Sequence, residues 1–95
     1  RIADLADTFG VLWSPHVSSG MPPYVAASLH LAVATPNAVI MEGGHIYKAT
    51  DVRGSKGNVL LKEPIEFKPG YAVVPEKPGL GIEFDEKELE KIIVR

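Results

Sequence analysis

The chain has 95 residues, a formal net charge of −2 and no cysteine. That length bounds it to one domain or part of one, the charge points away from nucleic acid, and the lack of cysteine excludes disulfides and thiolate metal sites. Hydrophobic residues make up 45% of it, enough for a core. No apolar run approaches the roughly 18 residues that would span a bilayer, and no charged-then-apolar stretch opens the chain as a secretory signal would. A cytoplasmic setting without a membrane partner is the expectation.

Arg1 stands directly inside a helical pattern with no initiator Met, which reads as a truncated product. Ile2, Leu5, Ala6 and Phe9 follow the spacing of one helix face, and Gly10 sits where a helix C-terminal glycine belongs. Val11-Leu12-Trp13 reads as a strand buried on both faces, with Trp13 in the core. A polar loop from Ser14 to Gly20 carries His16. Pro22 and Pro23 suit the first turn of a helix, where a missing N–H costs nothing. That helix runs to Ala34, is apolar almost all round, and should be closely packed. Thr35-Pro36-Asn37 ends it, and Ala38-Val39-Ile40-Met41 is a second strand of the buried type. Helix, strand, helix, strand in this order predicts an α/β fold with a parallel sheet. The crossover between the strands should be right-handed. Two such strands cannot close a sheet, and they leave apolar edges uncovered.

The remainder differs in character. Gly43 to Asn58 mixes glycine and charge and reads as loop, with room for one short helix. Ile65-Glu66-Phe67 and Tyr71-Ala72-Val73-Val74 flank Lys68-Pro69-Gly70, and Pro-Gly suits the centre of a type II turn, so a hairpin is predicted. Ile82-Glu83-Phe84 is extended. Asp85, with Glu88 three positions on, has the spacing of a capping box. Leu89, Ile92 and Ile93 then form one apolar face of a last helix.

His16 follows the first predicted strand and Glu42 the second. In a parallel βα layout both project from the C-terminal rim of the sheet, where α/β enzymes build their sites. Histidine is the side chain whose ordinary charge change falls near neutral pH, and a carboxylate beside it can orient it or stabilise its cation. The bland alternative is a solvated loop histidine and a glutamate that caps a neighbouring element. His30, inside a helix, reads as a packed or rim residue. His45, after Gly43-Gly44, could join His16 and Glu42 in a His/His/carboxylate metal site, although the spacing matches no recognised ligand pattern. The lysines and arginines between 48 and 62 read as solvated.

Several stretches together resemble the C-terminal end of enolase-superfamily enzymes of the mandelate racemase and acid-sugar dehydratase type. They are Ile2-Ala3-Asp4-Leu5-Ala6, Ser14-Pro15-His16, Leu29-His30-Leu31-Ala32, Pro36-Asn37, Val39-Ile40-Met41-Glu42-Gly43-Gly44 and Pro78-Gly79-Leu80-Gly81. The resemblance implies the C-terminal part of a modified TIM (β/α) barrel, about its last two βα units, plus the segment that returns to a capping domain. Residues 1–9 then correspond to the sixth barrel helix, 11–14 to the seventh strand, 22–35 to the seventh helix and 38–41 to the eighth strand. Residues 1–64 would be barrel, and 65–95 a hairpin and tail packing on the capping domain. The resemblance implies that His16 is a general base or acid. Glu42 would be the carboxylate that contacts the carboxylate of the substrate. The implied chemistry is removal of the proton alpha to a carboxylate, with Mg2+ stabilising the enediolate. In a dehydratase the beta hydroxyl then leaves. A racemase or epimerase uses the same histidine, and a freestanding, non-catalytic α/β binding domain is the reading from another class.

The implied partner is a small acid-sugar or hydroxy-acid substrate, with the full-length protein a homo-oligomer. The magnesium ligands, the aspartate partner of His16 and the lysines of the second strand would all lie outside this chain. The 95 residues alone are therefore expected to be inactive. His16 favours the histidine-bearing branch over muconate-cycloisomerase-like members, which use lysines on both sides.

Overall fold

Helix α1, Ile2–Thr8, opens the computed structural model, which describes residues 1–17, 21–42 and 57–93. The helix ends as its glycine requires. Gly10 takes φ +64°, Val11 N–H reaches back to the Ala6 carbonyl and Gly10 N–H to that of Asp7. This is the paired closure of a glycine-terminated helix. Ala3 is the buried residue of α1. The predicted apolar face points outward instead, with Ile2, Leu5 and Phe9 all exposed.

Helix α2 spans Pro22–Ala34 with prolines in its first turn. It packs on one side rather than all round. Val25, Ala26 and Leu29 are buried against Leu61 and Ile65, flanked by Met41, Phe67, Ala72, Val74, Ile82 and Phe84. Tyr24, Leu31 and Val33 lie on its exposed side. The core thus draws on both sides of the 64/65 boundary.

The two expected strands meet in a single parallel bridge, Trp13 to Ala38. Trp13 N–H donates to the Asn37 carbonyl at 3.0 Å, and Val39 N–H donates to that of Trp13 at 3.1 Å. The expectation of burial on both faces fails: Leu12 is 64% exposed and Ile40 72%. A run of this type is buried by the strands and helices beside it, and no described residue covers these positions. Trp13 is half-buried, not fully in the core.

What holds the bridge is Asn37, buried within it. Its amide NH2 donates to the carbonyls of Ala3 and Val11, both at 3.0 Å. Its Oδ1 accepts from the Trp13 indole N–H at 3.1 Å. One side chain therefore ties α1, the segment after it and the bridge. Asn37→Ala leaves the Ala3 and Val11 carbonyls without that donor and should lower stability by about 1–3 kcal/mol. A denaturation midpoint equal to that of the parent would contradict this account. Asn37→Asp should cost more, because it aims a carboxylate oxygen at two carbonyls.

After residue 57 the chain makes one 3-10 turn, Asn58–Leu60. The Asn58 side chain brackets Ile65, accepting from its N–H and donating to its carbonyl. Strands β1, Phe67–Lys68, and β2, Tyr71–Ala72, form the predicted antiparallel hairpin, with Phe67 opposite Ala72. Gly70 at φ +82° supplies the positive φ that the third turn position requires. Leu61 and Phe84 make an antiparallel bridge, and Lys62 pairs with Glu83 across it. That pairing holds the Lys62 ammonium above its ordinary range and the Glu83 carboxyl below its own.

Helix α3, Glu86–Glu90, starts at Asp85, whose carboxylate accepts from Lys87 N–H at 2.9 Å and Glu88 N–H at 3.4 Å. The capping box is one-sided. The Glu88 side chain turns to Lys91 instead, and Asp85 N–H is taken by the Leu60 carbonyl. Leu89 and Ile92 are half-buried while Ile93 is exposed. The molecule is of small α/β type, and its described parallel pairing is limited to the one bridge.

Candidate active site

The bridge brings the two segments that carry His16 and Glu42 side by side. Just beyond it, Ser14 O–H donates to the Ile40 carbonyl at 2.8 Å. A side-chain bond thus continues the pairing that the backbone has stopped making. Pro15 and Val17 are buried on either side of His16, so the turn is anchored while its histidine ring projects.

His16 Nδ1 lies 2.7 Å from Oε2 of Glu42. The same oxygen accepts the Val17 N–H at 3.1 Å. With a neutral imidazole, this contact is made by Nδ1–H donating to the carboxylate, which leaves Nε2 as the basic nitrogen. With a protonated one it is an ion pair. The ring side chain is 85% exposed and that of Glu42 40%, so the pair sits at a rim. A groove of about 860 Å³ runs alongside, bounded by Val39–Glu42 and by the hairpin residues from Phe67 to Ala72. A second hollow of about 560 Å³, lined by residues of 63–66 and 73–82, does not include the pair.

The other candidates separate from it. His30 is half-buried, and its Nε2 lies 3.2 Å from the Leu80 carbonyl. It links α2 to the Pro78–Gly81 turn, in keeping with a packed rim residue. That turn depends on its glycines. Gly79 and Gly81 both have positive φ, and a Cβ on Gly81 would come within 2.5 Å of that of Pro75. His45, Gly43-Gly44 and the cationic residues from Lys48 to Lys56 lie outside the described residues.

The residue pattern expects His16 and Glu42 at the same end of the sheet, while the family resemblance adds an aspartate partner outside this chain. Here the carboxylate it meets is Glu42. The hydroxyls of Ser14 and Tyr24 are what the sequence pattern does not announce. Tyr24 O–H donates to the His16 carbonyl at 2.8 Å. The available signal was an aromatic hydroxyl in the first turn of the helix that follows the histidine loop.

Among the described residues no three of His, Cys, Asp and Glu converge as a cation site would need. The described residues do not by themselves fit a magnesium ion. No helix among them is long and apolar enough to cross a membrane.

Residues 1–88 match the family model described as "Enolase C-terminal domain-like". The chain is 33% identical over 94 residues to a D-galactonate dehydratase of Xanthomonas euvesicatoria pv. vesicatoria (strain 85-10), covering 96% of this chain and 24% of that protein. A solved structure from Burkholderia SAR-1, of the mandelate racemase/muconate lactonizing enzyme type, superposes with a TM-score of 0.84 at 31% identity. It covers 98% of this chain and 21% of that one. The structure of an enolase from Mycobacterium smegmatis str. MC2 155, complexed with formate and acetate, gives a TM-score of 0.71 at 31% identity, covering 96% and 20%. The chain therefore spans about a quarter or less of the length of these relatives.

Proposed function

We propose, since this chain belongs to the enolase C-terminal domain-like family, that it supplies the proton-transfer histidine of an acid-sugar dehydratase. The observation that carries the reading is the 2.7 Å contact between His16 and Glu42, in a chain that resembles a D-galactonate dehydratase along nearly its whole length. On this reading the segment forms about the last two βα units of a barrel in residues 1–64, with 65–95 returning to a capping domain. The full-length enzyme is cytoplasmic, homo-oligomeric and a lyase.

The residues present define part of the chemistry. Glu42 holds Nδ1, so Nε2 is the atom that takes the proton alpha to the substrate carboxylate. Glu42 then stabilises the imidazolium so formed, because opposite charges in contact favour the ionised pair. The protonated His16 next returns its proton to the departing beta hydroxyl, and water leaves. Magnesium is the metal expected of this family. Its ligands would stand outside this chain, and when bound it would stabilise the enediolate.

A racemase or epimerase of the same branch is the second reading, favoured by the similarity to the Burkholderia structure. The two separate on product. Incubated in D2O with D-galactonate and a panel of other acid sugars, a full-length dehydratase should release a keto acid carrying solvent deuterium. Deuterium gained with inversion and no keto acid would establish the racemase instead. Neither outcome across the panel would remove the catalytic reading.

A further inference from the structure

We propose that Tyr24 is a positioning residue for His16, acting through the peptide unit that joins His16 to Val17. This rests on the reading of His16 as the proton-transfer group. The peptide is held at both ends. Its carbonyl accepts from the Tyr24 hydroxyl at 2.8 Å, and its N–H donates to Oε2 of Glu42 at 3.1 Å. That same oxygen lies 2.7 Å from His16 Nδ1. One carboxylate oxygen therefore holds both the ring and the peptide behind it, and Tyr24 closes the opposite side.

A planar peptide with donor and acceptor both engaged cannot swing about its flanking bonds without breaking one of the two contacts. The two bonds also polarise the same unit in the same sense, which strengthens each. Such a clamp matters for a ring as exposed as this one, because little packing holds it. Tyr24 can serve as a fixed point. It stands in the first turn of α2, behind two prolines, with its N–H on the Met21 carbonyl and fully buried Val25 beside it. Tyr24 as a residue is 52% exposed, so it adds modestly to the core. The hydroxyl is what distinguishes tyrosine from phenylalanine here.

The test is Tyr24→Phe in the full-length enzyme. Turnover should fall on the order of 10-fold, as expected when an acid–base group loses part of its alignment. KM and the melting temperature should stay near those of the parent. The loss should disappear in a His16→Asn background, since two residues acting through one contact are not additive. The Val17 amide should also exchange with solvent faster in Tyr24→Phe. Unchanged turnover, an equal loss in both backgrounds, or unchanged Val17 exchange would each overturn the role of Tyr24. Normal turnover in His16→Asn alone would instead overturn the reading of His16 on which it rests.

Discussion

His16→Asn in the full-length enzyme should lower turnover by about 10²-fold or more, the usual scale for a lost general acid or base. Asparagine keeps roughly the size and one hydrogen-bonding role, so its amide can still donate to Glu42. What it lacks is a ring nitrogen that can take up a proton and return it. Substrate affinity should change much less, because the rest of the pocket still holds the carboxylate. Glu42→Gln should affect both parameters. It removes the charge that stabilises the imidazolium, and it changes the field around the substrate and the enediolate. It also weakens the acceptor for Val17 N–H, so part of its effect comes through the backbone clamp. His30→Asn is the control. Its contact is with the Leu80 carbonyl, so it should cost some stability and leave the pH–rate profile in place. Near-normal turnover in His16→Asn together with loss in His30→Asn would show that the wrong histidine had been chosen.

The legible parts of this chain are those decided by local chemistry. Proline at the start of α2, glycine after α1, Pro69-Gly70 in the hairpin and Asp85 before α3 each act on their own few residues, and each stands where its chemistry puts it. The less legible parts depend on partners. Val11-Leu12-Trp13 and Ala38-Val39-Ile40-Met41 have the composition of fully buried strands, but burial is conferred by neighbours and cannot be read from the run itself. Asn37 shows the opposite failure. A lone asparagine after proline reads as a helix stop, and nothing in its spacing announces that it will meet Ala3, Val11 and Trp13. His16 and Glu42 were legible as residues at corresponding strand ends. Their direct contact was not, because it depends on how far the pairing continues past Trp13. Ser14 sets that distance through the Ile40 carbonyl.

The isolated 95-residue chain should self-associate or precipitate at micromolar concentration. Ile2, Leu5, Phe9, Val11, Leu12, Val39 and Ile40 are all exposed, on segments brought together by the Trp13–Ala38 bridge and the Asn37 bonds. Each such side chain gains about 1.5–3 kcal/mol when fully buried, and contiguous apolar surface of this kind seeks a cover. Among the described residues neither segment of the bridge pairs with a further strand, which opens a second route to pairing between copies. Leu12→Lys with Ile40→Lys should shift the isolated chain toward monomer in sedimentation or light scattering. In the full-length enzyme the sign should reverse. If barrel neighbours cover these positions there, the same substitutions bury unpaired charges and should lower its melting temperature sharply. A monomeric isolated chain with a sharp cooperative melt would favour a freestanding domain over a barrel segment. So would a full-length protein indifferent to lysine at 12 and 40, because it would mean that nothing covers this face in either setting.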